Sequence, residues 1–123
     1  MAIDVRWDNP ECTIICWYFP KQWNIDDLST AEQETNQMLG ERSETIIDLI
    51  INVENSSQWP DKSFVSFKKA LTRITRKQGL KIIVGSNTFL ETLFTTLSKT
   101  HKEFAEGLTF VESMDEARDL LLT

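Results

Sequence analysis

The chain has few of the residues that build disulfides, metal sites and catalytic centres. It contains two cysteines and one histidine among 123 residues. On a strand, Cys12 and Cys16 would lie about 13 Å apart, whereas a disulfide needs α-carbons within about 7 Å. Two thiols with no histidine nearby also make a poor zinc site. We therefore expect a reduced protein with no disulfide, no metal and no cofactor.

Long hydrophobic runs are also missing. No run of about 18 apolar residues could span a bilayer, and the first thirty residues lack the basic-then-apolar layout of a signal peptide. Together with the cysteine content, this predicts a cytoplasmic protein without membrane insertion. With 41% apolar residues in 123, residues 1–123 fit a single domain with one core.

Negative charge is absent from one stretch of an acidic chain. The net charge is −6, yet residues 62–81 hold seven bases and no acid, so the remainder holds six bases and all 19 acids. Such a segment could bind nucleic acid, anionic lipid or an acidic protein. The overall negative charge repels polyanions, and no aromatic residues are expected to stand exposed among the bases. We expect docking to an acidic protein patch, or else a solvated face whose charge the acidic first helix offsets.

The most informative segment is the nearly continuous apolar strand at residues 46–51. A polar loop follows at 52–58, and a helix start follows at 59–63. A strand with so few polar residues is typical of the middle of a sheet, where both of its faces are covered. A helix that begins just beyond it directs its free N–H groups towards the carboxyl edge of the sheet, where α/β proteins place their sites.

The remaining patterns predict the element order β-β-α-β-α-β-α-β-α. Residues 3–7 alternate as a half-exposed edge strand and form a hairpin with the strand at 12–19. Helices are expected to begin after the N-cap Asn24, which has Asp27 at its N3 position, near Pro60, after residue 88 and after Ser113. Apolar residues at helical spacing are expected on the buried sides of the second and last helices: Phe64, Phe67, Leu71 and Ile74, and Ala117, Leu120 and Leu121. Strands that alternate with helices imply an α/β fold with a mainly parallel five-stranded sheet and right-handed crossovers.

The strand faces predict where the helices lie. Odd-numbered residues 47–53 are all apolar and even-numbered residues 46–52 are mixed, which favours four helices mostly on one face. On the next strand the same reasoning groups three apolar residues on one side: Leu80, Ile82 and Val84. Asp48 needs a partner if it is buried. We expect Lys81 or Arg6 to provide one, in a structural role.

These features resemble the STAS domain, the fold of bacterial anti-sigma-factor antagonists, also described as sporulation-antagonist-like. The resemblance covers nearly the whole chain and rests on the opening hairpin, the central strand at 46–49, the strand at 82–85 before a helix, and the final helix at 115–117. It implies a small stand-alone bacterial signalling protein. Its function would be that of a non-enzymatic regulatory protein-interaction module.

The resemblance also points to one serine. In the antagonists, the second helix starts with Asp-Ser-Ser-Gly, whose second serine is phosphorylated. Here Asp61 and Ser63 match, while Lys62 replaces the first serine and Phe64 replaces the glycine. Ser63 is the candidate phosphoacceptor, and the alternative is an ordinary first-turn serine that satisfies backbone donors.

The expected partner or ligand surface combines the loops at the carboxyl edge of the sheet with the basic helix. Its members are Asn52, Asn55, Ser56, Ser57, Asp61, Lys62, Lys68, Lys69, Arg73, Arg76, Gly85, Ser86, Asn87 and Thr88. The last four could bind an anion at the start of the third helix, or simply cap that helix. The loops after the two central strands should converge at this edge.

Two further features leave alternatives open. Trp17 forms an apolar strand face with Ile15 and Phe19, and this face must be buried against other apolar groups. A homodimer contact or a bound apolar ligand would bury it. The second candidate function is therefore a lipid or small apolar ligand module of the CRAL-TRIO type. An enzyme ranks third, because Walker and Gly-x-Ser-x-Gly motifs are absent and His101 fits a partly buried residue on an apolar stripe.

Overall fold

A computed structural model describes residues 2–42, 45–56, 63–74, 78–85, 92 and 108–122. The strands are β1 (Asp4–Trp7), β2 (Ile14–Tyr18), β3 (Ile47–Asn52), β4 (Gln78–Val84) and β5 (Leu108–Val111). The helices are α1 (Ile25–Glu41), α2 (Ser63–Arg73) and α3 (Met114–Leu122). The predicted third helix after residue 88 and His101 lie outside the described residues, Thr92 excepted.

The five strands form one sheet in the order β1-β2-β3-β4-β5. β1 and β2 pair antiparallel, and every later pair is parallel. The hairpin turn is held by the Asn9 side chain, whose Oδ1 accepts hydrogen bonds from the backbone N–H groups of Thr13 and Ile14 at 3.0 and 3.1 Å. The mainly parallel α/β sheet, its antiparallel edge strand and the central position of β3 are confirmed. Cys12 and Cys16 are free thiols, as predicted.

One face of the sheet is covered by α1 and α2. Trp17 is fully buried there, and its indole Nε1–H donates to Thr35 Oγ1 of α1 at 2.7 Å. Ile15 and Phe19 lie in the same core cluster, together with Phe67 of α2. The chain's own helices therefore cover the apolar stripe that motivated the homodimer prediction, so these residues are not available to a second copy.

The predicted N-cap residues form caps at the first and last helices. Asn24 and Asp27 form a reciprocal capping box at the start of α1. Ser113 Oγ accepts the Glu116 N–H at 3.2 Å at the start of α3, while the Glu116 carboxylate accepts from the Glu112 N–H at 3.3 Å. These contacts satisfy backbone donors that the first turn of a helix leaves free, and so fix where each helix begins.

The opposite face of the sheet carries α3. A second core cluster joins Cys16, Ile50, Ile82 and Val84 of the sheet to Ala117 of α3. Two of the three described helices thus lie on one face and the third on the other. α3 is also tied to the opening hairpin, because the Arg118 guanidinium donates to both Asp8 carboxylate oxygens at 2.9 and 3.0 Å.

A β-bulge in β4 overturns two predictions. Ile47 pairs with Gln78 but Leu49 pairs with Lys81, so β4 carries one extra residue between these pairs. The extra residue puts Lys81 on the face of α1 and α2 and moves Ile82 and Val84 to the face of α3. The predicted grouping of Leu80, Ile82 and Val84 with the main helix-covered face is therefore wrong.

The partner predicted for Asp48 is also wrong. Its Oδ1 accepts the backbone N–H of Leu80 at 2.8 Å. Lys81 points to the other face, and Arg6 pairs instead with Asp4 at 2.7 Å. A side chain at Gly79 would collide with Asp48 Oδ1, so a glycine is required where the bulge closes on this carboxylate.

Candidate functional site

The first residues after β3 and β4 lie side by side at the carboxyl edge of the sheet, where the loops were predicted to converge. The Val53 N–H donates to Val84 O at 2.9 Å, and the Gly85 N–H donates to Val111 O at 3.1 Å. Gly85 has φ +102, and a Cβ there would lie 2.9 Å from Glu54 N. Glycine is therefore needed at this position both for its backbone conformation and for the close approach of the two loops.

Two of the predicted surface residues in the first loop have structural roles. Asn52 is buried, with its Oδ1 accepting the Glu54 N–H at 2.9 Å and its Nδ2 donating to Glu54 Oε1 at 3.1 Å. Ser56 is 6% exposed and its Oγ accepts the Trp23 indole N–H at 2.9 Å. These contacts shape the loop. Asn55 remains exposed between them.

The basic helix presents one exposed stripe, which we call the α2 stripe: Val65, Lys69 and Arg73. Residues four apart lie on the same face of a helix. Val65 is 48% exposed, which is a large exposed fraction for an apolar side chain. The Arg73 guanidinium contacts the Glu32 carboxylate of α1 at 3.3 Å, which is the predicted offset of basic charge by the acidic first helix.

The buried side of α2 agrees with the predicted apolar stripe. Phe67, Leu71 and Ile74 are almost completely buried beneath the helix. Ser63 is the first residue of α2, and Lys68 lies within it. The side chains of these two residues are not described. The other predicted surface residues lie outside the described ranges: Ser57, Asp61, Lys62, Arg76, Ser86, Asn87 and Thr88.

Burial shifts the pKa of three described side chains. Burial raises the pKa of the Cys16 thiol to about 12, so this thiol stays protonated at neutral pH. Burial likewise raises the pKa of Tyr18 to about 12 and lowers the pKa of Lys81. In the part of the chain that the structure describes, no cluster of three potential metal ligands occurs.

A second surface feature was missed by the sequence reasoning. Val111, Glu116, Asp119 and Leu120 line a groove of about 420 Å³ between β5 and α3, which we call the α3 groove. A neighbouring groove shares Val111 and Glu116 and adds Glu112 at its rim. Leu120, predicted to be buried, is 42% exposed. The sequence signal that could have revealed this groove is the position of Glu116 and Asp119 just before Leu120.

The sequence matches no protein-family model and no curated protein. Across the described residues, we find no helix with the length and apolar character needed to cross a membrane.

Proposed function

We propose that this chain is a non-enzymatic regulatory module of the STAS-like type, acting in the bacterial cytoplasm, that docks an acidic protein through the α2 stripe. The observation that carries the proposal is the exposure of Val65 next to Lys69 on α2, a helix that has three bases and no acid. An apolar side chain flanked by bases suits a partner with an apolar contact inside an acidic rim.

The two bases of the α2 stripe differ in their surroundings. Arg73 already contacts Glu32, whose side chain is 11% exposed, so part of its charge is offset within the chain. Lys69 is exposed and lies one turn closer to Val65. Lys69 is therefore the base whose charge a partner would meet most directly, while the Arg73–Glu32 contact helps hold α2 against α1.

Ser63 supplies a means of regulation. It begins α2, and a phosphate there would add about −1.5 to −2 charges at a helix N-terminus, where the helix dipole tolerates negative charge. The same charge, within two turns of Lys69, would repel an acidic partner. A phosphate at Ser63 would therefore weaken docking of the partner.

The test is a pull-down from lysate of the source cell with wild-type and Lys69→Glu bait. We expect the charge reversal to weaken capture of the acidic partner at least tenfold, and Ser63→Asp to weaken it in the same direction. Lys21→Glu is the matched control, because Lys21 is an exposed lysine outside α2. It should capture the same proteins as wild type.

Thermal unfolding of each bait separates lost docking from lost folding. Lys69 is exposed, so its reversal should cost no more than about 0.5 kcal/mol of stability. Identical captured proteins for wild-type and Lys69→Glu baits would refute the proposal and leave the basic helix as a solvated face.

A further inference from the structure

Two surfaces of the described part of the chain each combine an exposed apolar side chain with charge, and the two are complementary. The α2 stripe combines Val65 with bases, and the α3 groove combines Val111 and Leu120 with the carboxylates of Glu116 and Asp119. We propose that the acidic partner of the α2 stripe is the α3 groove of a second copy of this chain. This inference rests on the proposed function, because it names the partner of the same stripe.

Among the described residues, the charge around the α3 groove is mostly negative. From residue 112 to 119 the chain carries four acids, and its single base is Arg118. The bidentate contact between Arg118 and Asp8 offsets that base. The rim of the groove therefore keeps the negative charge of Glu112, Glu116 and Asp119, matching the positive charge that residues 62–81 concentrate.

The apolar parts match as well. Leu120 is 42% exposed and Val65 is 48% exposed, so each surface offers one large apolar side chain next to its charges. Burying both in one contact would remove apolar area from water, which favours association. The charges would fix the orientation and raise the association rate.

The net charge of −6 does not prevent this contact. At physiological ionic strength the Debye length is about 8 Å, so charges on distant parts of two copies are largely screened while charges in contact are not. Salt above the physiological range should weaken the contact, because it also screens the attraction between the opposite charges that meet.

The fold decides the geometry of the assembly. α2 packs on one face of the sheet and α3 on the other, so one copy cannot bring its own stripe to its own groove. A contact between two different surfaces is heterologous, and it leaves one stripe and one groove open at the ends of every pair. Head-to-tail growth beyond a dimer, or closure into a ring, follows.

The experiment is sedimentation velocity with light scattering over a range of protein concentration at physiological and at high salt. Wild type should exceed the dimer mass as concentration rises and dissociate in high salt. Lys69→Glu and Asp119→Lys should each weaken self-association at least tenfold. Lys21→Glu and Glu41→Lys change exposed charges outside both surfaces and serve as matched controls.

Mixing gives the sharper test. Lys69→Glu keeps an intact groove and Asp119→Lys keeps an intact stripe, so an equimolar mixture should associate, with the two variants alternating, although neither variant associates alone. The double variant Lys69→Glu/Asp119→Lys exchanges the two charges and should recover self-association. Circular dichroism melts confirm that all variants are folded.

The outcomes separate this inference from the proposed function. A wild type that stays monomeric at high concentration at physiological salt, or a mixture of the two variants that does not associate, overturns the second-copy partner. If wild-type bait nevertheless captures a different acidic protein that Lys69→Glu bait does not, the proposed function is supported and only the second-copy partner is wrong. If Lys69 matters in neither experiment, both proposals fall.

Discussion

Thr35→Val should destabilise the protein through one buried hydrogen bond. The Thr35 hydroxyl accepts the Trp17 indole N–H at 2.7 Å and donates to Ala31 O of its own helix at 2.8 Å. Both side chains are fully buried between α1 and the sheet. Valine keeps the shape and volume of threonine but removes the oxygen, so the indole N–H would be left buried without this acceptor.

The expected cost follows from that geometry. Leaving a buried donor without a partner costs about 1–3 kcal/mol, while the cavity cost of this near-isosteric change is small. Thr30→Val is the matched control. Its hydroxyl donates to Asp26 O at 3.0 Å in the same i to i−4 arrangement, but on the exposed side of α1. Its loss should stay within about 0.5 kcal/mol, because water replaces the contact.

Urea unfolding followed by far-UV circular dichroism measures the difference. With a denaturant slope of about 2 kcal/mol per M, a loss of about 2 kcal/mol lowers the midpoint by about 1 M. The cost of Thr35→Val should shrink in a Trp17→Phe background, where the donor is absent. Equal midpoints for Thr35→Val and Thr30→Val would show that the bond adds nothing to stability.

Two further predictions concern Cys16 and Gly85. A thiol reagent at pH 8 should modify Cys12 in the folded protein and reach Cys16 only on unfolding, because Cys16 is fully buried and burial raises its pKa from 9.0 to about 12. The folded thiol keeps its proton in the pH range where the unfolded thiol loses it, so this group should make stability fall as pH rises from about 9 to 12. Equal modification of both thiols in the folded protein would contradict the burial of Cys16. Gly85→Ala should cost about 1–3 kcal/mol, because its φ is +102 and the new Cβ would meet the Glu54 backbone. Gly40→Ala, where nothing lies within 4 Å of the added Cβ, is the control in thermal melts and should cost nothing.

Local sequence signals predicted the parts of the fold that depend on neighbouring residues. The Asn24–Asp27 capping box, the alternation of the first strand and the apolar stripe of α2 all depend on spacings of a few residues. The apolar run at residues 46–51 predicted the central strand because only a strand covered on both faces tolerates so few polar side chains.

Contacts between distant residues could not be read in the same way. Trp17 required cover, but its hydrogen bond to Thr35 depends on how α1 crosses the sheet. Ser56 has the composition of an exposed loop residue and is buried because Trp23 lies over it. The α3 groove requires both a strand edge and a helix surface, so neither segment alone predicted it.

The β4 bulge explains why Ile82 and Val84 were assigned to the wrong face of the sheet, and it also affects where the α3 groove lies. In an unbroken register, Leu49 would pair with Leu80, and Ile82 and Val84 would point towards α1 and α2, as the alternation predicted. The extra residue, held by Asp48 and allowed by Gly79, turns Ile82 and Val84 to the other face instead. That shift supplies two of the apolar side chains in the cluster against which α3 packs. Because α3 forms one wall of the groove, the acidic groove and the basic α2 stripe end on opposite faces of the sheet, which is the arrangement that head-to-tail association needs.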